Sequence, residues 1–139
     1  MEEPAELLYE GTAFHVYVAK SGERCPYWDF LHELRSAPQR RAKIKYWVER
    51  IGDEGLPASE RKWHRVHADA NLFVLKPDRQ VRLVCFLDRD AHPKRIVITH
   101  GFFKTTADMP PNERTRGLNA RGRYFESKGQ ISDEQIAQR

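Results

Sequence analysis

The chain has 139 residues, 40% hydrophobic and 32% charged, an ordinary globular composition that excludes a disordered chain and fits one domain over 1–139. No stretch nears the ~20 apolar residues of a membrane helix, and the acidic opening Met1-Glu2-Glu3-Pro4 has no basic, apolar leader, so a cytoplasmic protein with no membrane partner is expected. A net charge of +4 and a pI near 9.2 favour a polyanionic partner only if the cations are gathered on one surface.

Residues 1–12 read as a loose lead-in. Phe14, Val16 and Val18 alternate with His15 and Tyr17, a period of two that predicts a strand over about 13–19. Tyr27, Phe30, Leu31 and Leu34 then fall at helical spacing, as do Ile44, Trp47, Val48 and Ile51. Pro38 opens the second of these helices and Gly52 is expected to cap it, so the pair forms a helical hairpin. Residues 52–70, broken by Gly55, Pro57 and Ser59, read as a connector. Three apolar runs follow: Leu72–Leu75; Val81 to Leu87; and Ile96–Ile98 leading into Phe102 and Phe103. The short turns between them predict an antiparallel meander. A weaker helix spans Pro111 to about Lys128, where Gly117 and Gly122 each cost about 1 kcal/mol relative to alanine, and 129–139 are expected to fray. The fold class is therefore α+β, a small, mostly antiparallel sheet with an amino-terminal helical hairpin and a carboxyl-terminal helix, the helices covering one face.

The sequence holds no P-loop, no Gly-x-Gly-x-x-Gly and no Gly-x-Ser-x-Gly. His64 and His67 could share a helical face, but no third ligand is near in sequence and Arg61, Lys62 and Arg65 surround them, so no metal is expected. Cys25 and Cys85 have no metal-ligand spacing and read as reduced thiols. The cations are more informative. The second helix carries Arg40, Arg41, Lys43, Lys45 and Arg50; the strand region carries Lys76, Arg79, Arg82, Arg95 and Lys104; the last helix carries Arg114, Arg116, Arg121 and Arg123. With Phe102, Phe103 and Tyr124 nearby, such a set suits RNA, where cations neutralise phosphate and rings stack on bases. Taken singly, each cation reads more readily as a solvated charge. Arg82 interrupts an apolar strand and needs either solvent, an anionic ligand or a buried ion pair.

The run Arg82-Leu83-Val84-Cys85-Phe86, then Ile96 through His100-Gly101-Phe102-Phe103-Lys104, then Pro110 and an Arg-rich helix ending in Tyr124, resembles the HigB-like, phage-derived branch of the RelE/ParE toxin superfamily. The likeness is sharp over about 71–124 and loose before it. It implies a RelE/ParE-like fold and a ribosome-dependent messenger RNA endoribonuclease, the toxin of a type II toxin–antitoxin pair held in check by a cognate antitoxin. It also implies roles. Lys104 or His100 would transfer protons, while Arg82 and Lys76 would stabilise phosphate charge; Arg79, Phe102, Arg121 and Tyr124 would hold RNA. Such a cation-rich site needs no metal and no other cofactor. The chain departs from the pattern at Thr105, Asp108, Met109 and Gly117, where the relatives usually have lysine, lysine, threonine and alanine. Two readings compete with the ribonuclease. One is a non-catalytic or ParE-like protein on the same fold that binds a protein partner or gyrase. The other is a general nucleic-acid-binding domain.

Overall fold

The computed structural model describes residues 4–58, 61–67, 71–105 and 109–137, and among them all side chains but those at 67 and 130–137. Two strands come first, β1 (Ala5–Glu10) and β2 (His15–Ala19), followed by helices α1 (Pro26–Glu33) and α2 (Pro38–Glu54). Four strands, β3 (Trp63–His67), β4 (Leu72–Leu75), β5 (Val81–Asp88) and β6 (Arg95–Phe103), lead to the last helix, α3 (Pro111–Ala137). Each helix opens on a proline, whose fixed φ and missing N–H suit the first turn.

The six strands form one sheet in the order β1-β2-β6-β5-β4-β3. Only the β2–β6 pair is parallel, so the expectation of a mostly antiparallel sheet is met. β5 lies inside the sheet and is buried at every position. Val81, Leu83, Cys85 and Leu87 face α1 and α2, packing with Phe30, Ile44, Val48 and Ile51. Val84 and Phe86 face the other way and pack with Leu72, Val97 and Tyr124 beneath α3. The helices therefore cover both faces and not one. The apolar run Leu83–Leu87 already carried that signal, because a strand wet on one face alternates with polar residues.

The amino half differs from the sequence expectation in three ways. Residues 5–10 are not a loose lead-in but the edge strand β1, so the helical hairpin is preceded by a strand pair. The segment Ala5–Glu10 has no β-branched residue, and its register shifts between Leu7 and Tyr9; it is a strand because β2 pairs with it. α2 runs through Gly52, the expected cap, and ends at Gly55, whose φ of 81° is the left-handed geometry that favours glycine. The connector contains β3, so His64 and His67 lie on a strand and share no helical face, and the side chain of His67 lies outside the described residues.

α3 also outruns its expected end near Lys128, reaching Ala137 through residues expected to fray. Gly117, a poor helix former, sits where α3 crosses the sheet: a Cβ there would meet Val84 at 2.7 Å. Helix propensity is given up for close approach. Asp108, one of the departures from the family pattern, lies outside the described residues.

Candidate nucleic-acid interface

The turn between β4 and β5 is built by one carboxylate. Asp78 Oδ1 accepts the backbone N–H of Gln80 at 2.8 Å and of Val81 at 2.7 Å, an aspartate-seeded turn that sends Arg79 into solvent. Arg82, one residue into β5, curls back over that turn: its Nη1 donates to the carbonyls of Asp78 and Val81, both at 2.9 Å. These partners are neutral carbonyls, so Asp78 acts on the guanidinium only through space. Burial lowers the Arg82 pKa, and the Asp78 charge opposes that fall.

The neighbouring elements bring further cations to the same place. The Lys76 N–H donates to the Lys62 carbonyl at 2.7 Å, which ties the end of β4 to the residues just before β3. Arg61 and Lys62 thereby come alongside Lys76. α2 lays Lys43 and Trp47, one turn apart, along the opening. The result is a cleft of about 420 Å³ lined by six cations, Lys43, Arg61, Lys62, Lys76, Arg79 and Arg82. Asp78 is the sole carboxylate among its lining residues. Burial would raise the Asp78 carboxyl, but the N–H groups of Val81 and Gln80, with Arg40 and Lys43, outweigh it and hold the group below the usual carboxylate range. Arg40 supplies the ion pair, Nε to Oδ2 at 3.5 Å, and also donates to the Gln80 side chain. Like charges gathered on a concave surface sum into a strong local potential, which draws and holds polyanions.

Three of the eight residues expected at the site, Lys76, Arg79 and Arg82, line this cleft. Lys104 is adjacent: its backbone N–H donates to the Gln80 carbonyl at 2.6 Å and its side chain is exposed. The other four are elsewhere. His100 pairs with Val84 in register and so faces α3, 1% exposed. Its Nδ1 lies 2.8 Å from Thr99 Oγ1, and Glu113 Oε1 is 3.7 Å from its Nε2. Burial, aided by the Arg116 charge, drives its pKa down to about 3, so the ring is neutral. Burial also raises the Glu113 carboxyl, so neither partner favours the charged form an ion pair would need. Phe102 packs half-buried against the cluster on the α3 side of the sheet. Arg121 lies over the Phe125 ring, 4.8 Å from its centroid, on the same face.

Tyr124 corrects the expectation most clearly. It is 2% exposed, donates to Asp88 Oδ2 at 2.6 Å and accepts from Arg95 Nη1 at 3.3 Å. Asp88 ends β5, six residues after Arg82, which places the two ends about 20 Å apart at roughly 3.3 Å per residue. Tyr124 is thus a core residue at the far end of the sheet, with no face open to a base.

Sequence reasoning missed Lys62, Arg61 and Trp47 as site residues. The first two were hidden by reading 52–70 as a connector, and their signal was the run of cations, Arg61, Lys62 and Arg65, around Trp63 and His64. Trp47 was absorbed into the apolar stripe of α2. The His-Gly-Phe run now has a packing explanation. His100 is buried under α3, and a Cβ on Gly101 would strike the Phe30 ring of α1 at 2.4 Å.

No family model matches the chain, nor does any curated protein. A solved structure described as a YoeB/ParE toxin from Agrobacterium tumefaciens is similar at 15% identity over 57% of this chain and 91% of that one, with a TM-score of 0.46. At that score the likeness transfers no residue role to this chain. Among the described residues, no helix is long and apolar enough to cross a membrane.

Proposed function

We propose that the protein is a RelE/ParE-type toxin, of the HigB-like kind, that cleaves messenger RNA on the ribosome without a metal. The observation that carries this reading is the convergence of Lys76, Arg79 and Arg82 with Lys43, Arg61 and Lys62 in one cleft. A binding surface needs only scattered cations; a phosphoryl-transfer site needs them focused on one phosphate. In the reaction the 2′-hydroxyl loses its proton as its oxygen attacks phosphorus. The bond to the 5′-oxygen breaks, and that oxygen takes up a proton, leaving a 2′,3′-cyclic phosphate and a 5′-hydroxyl. Arg82, held by two carbonyls, and Lys76 offset the charge of the phosphorane. Asp78 is engaged by two N–H groups and Arg40 and is a poor base. Of the two proton-transfer candidates, the buried neutral His100 faces away from the cleft, which leaves Lys104. A cognate antitoxin with an acidic segment would cover the basic face and silence it. The site of action is then the cytoplasm.

The test is inducible expression in a bacterial host of the wild type, Arg82→Ala and Lys104→Ala, with growth followed and messenger RNA ends mapped. Growth arrest with new cuts in translated messages, relieved by either substitution, is the expected result. Normal growth with intact messages would overturn it. One feature favours a second reading, a non-catalytic partner-binding or gyrase-directed protein. An apolar groove of about 500 Å³ lies between β1, α1 and α2, lined by Leu8, Leu31 and Val48 and flanked by the 42%-exposed Trp28. Arrest with intact messages is the outcome that would select it.

A further inference from the structure

We infer that Trp47 is a base-stacking platform, so that the cleft takes an unpaired nucleotide of single-stranded RNA, its phosphate among the cations and its base on the indole. The inference rests on the cleft being an RNA site, as proposed above, and adds the form of RNA it admits.

Trp47 is the only aromatic among the residues lining the cleft. α2 buries Ile44, Val48 and Ile51 on its inner stripe, and Trp47 sits at the margin of that stripe, half-buried, packed against the core yet facing the opening. Two cations flank its ring: Lys62 Nζ is 5.1 Å from the ring centroid and the Arg50 guanidinium carbon 5.2 Å. The Tyr46 ring meets it edge-on, with centroids 5.4 Å apart and planes at 86°. The indole is thereby fixed before any ligand arrives, which reduces the ordering cost of binding.

Lys62 is shared between the indole and the cleft. It is a compact ammonium on a mobile stem, and its hold on a half-exposed ring is weak. A base has a π-face of its own and stacks more strongly than the ammonium it displaces. The displaced ammonium then moves to the phosphate of the same nucleotide, so the exchange keeps the cation in use. A duplex cannot make this exchange, because its bases are already stacked on one another. The other two tryptophans are not placed for it. Trp63 is committed to Phe73 and to the Pro57 carbonyl, and Trp28 lies by the apolar groove.

The test measures binding of a uridine decamer and of an RNA duplex of the same length to the full chain across a salt series. Trp47→Leu, which keeps an apolar group against the core, is expected to weaken decamer binding about tenfold with an unchanged salt slope and unchanged duplex binding. Arg82→Ala, by contrast, is expected to flatten the salt slope by about one for both RNAs. A second measurement avoids altering Trp47. With Trp28→Phe and Trp63→Phe combined, Trp47 is the only indole left, and its emission is expected to be quenched by the decamer but not by the duplex. Equal decamer binding by Trp47→Leu, or unquenched emission while the decamer is bound, overturns the platform and leaves the RNA site standing. No binding of either RNA by the wild type at low salt overturns the site and the platform together.

Discussion

β5 begins among cations and ends on a carboxylate, and the two ends treat charge in opposite ways. At its start Arg82 is held by two neutral carbonyls, with Lys76, Lys62 and Lys43 around the same opening and one carboxylate, Asp78, already engaged by Arg40. At its end Asp88 is 1% exposed and is met by Tyr124, which also receives Arg95, and by Lys128. Burial would raise the Asp88 carboxyl, yet Lys128 and Tyr124 outweigh it and hold it ionised. Opposite charges close one end through Asp88 Oδ2, which Tyr124 and Lys128 meet, joining α3 to the sheet. At the other end six cations share one opening with a single carboxylate, a surplus of positive charge that favours an anion. A buried charge is tolerated when an opposite charge and hydrogen bonds meet it, and a concave surface with surplus charge of one sign favours a bound ion of the other.

That contrast predicts a separation of effects. Arg82→Ala should cut message cleavage by about a hundredfold or more, the usual scale for removing one group that meets developing charge. End-mapping of induced transcripts would show it, and cuts persisting at wild-type frequency would remove Arg82 from the chemistry. Gly101→Ala should cost about 1–3 kcal/mol in urea unfolding, since its Cβ meets the Phe30 ring at 2.4 Å in a packed core. An unchanged midpoint would mean that His-Gly-Phe is more than a packing signature. At the closed end, Tyr124→Phe should cost about 1–2 kcal/mol by leaving Asp88 short of a donor, while RNA binding stays at the wild-type level. A loss of binding without a loss of stability would put Tyr124 back in the site.

The smallest effect is a pH dependence. The folded His100 pKa is about 3 against 6.5 for the free group, so below pH 6.5 the unfolded chain takes up a proton that the folded chain refuses. Stability therefore falls as pH drops through the window from 6.5 toward 3, approaching about 1.4 kcal/mol per pH unit from this residue. From pH 6.5 to 5.5 its share is about 1 kcal/mol. Comparing wild type with His100→Leu by thermal melts over that unit isolates the share. Equal slopes would mean that His100 is accessible to protons, and with it available to catalysis.

α1 and α2 were legible in the sequence because their stripes repeat at 3.6 residues, and Ile44, Val48 and Ile51 are buried as that stripe requires. The meander β4–β5–β6 was legible because its apolar runs are separated by short polar turns. β1 and β3 were not, since Ala5–Glu10 and Trp63–His67 are strands by virtue of the partners that pair with them. Of the site, the residues of the β4–β5 turn could be read, since Lys76, Arg79 and Arg82 are close in sequence.

What the sequence determined by itself was local: helical periodicity, short turns between apolar runs, and the cations that each element carries. The tertiary structure decided which cations meet. Lys43, Lys62 and Lys76 belong to α2, the approach to β3 and the end of β4, and only strand pairing and helix packing bring them to one opening. It also decided which of the expected site residues are core. His100 and Tyr124 are 1% and 2% exposed because α3 lies over the second face of the sheet. Local patterns are set by a residue's neighbours in the chain, whereas burial is set by distant segments that come to cover it, and no short-range period records them.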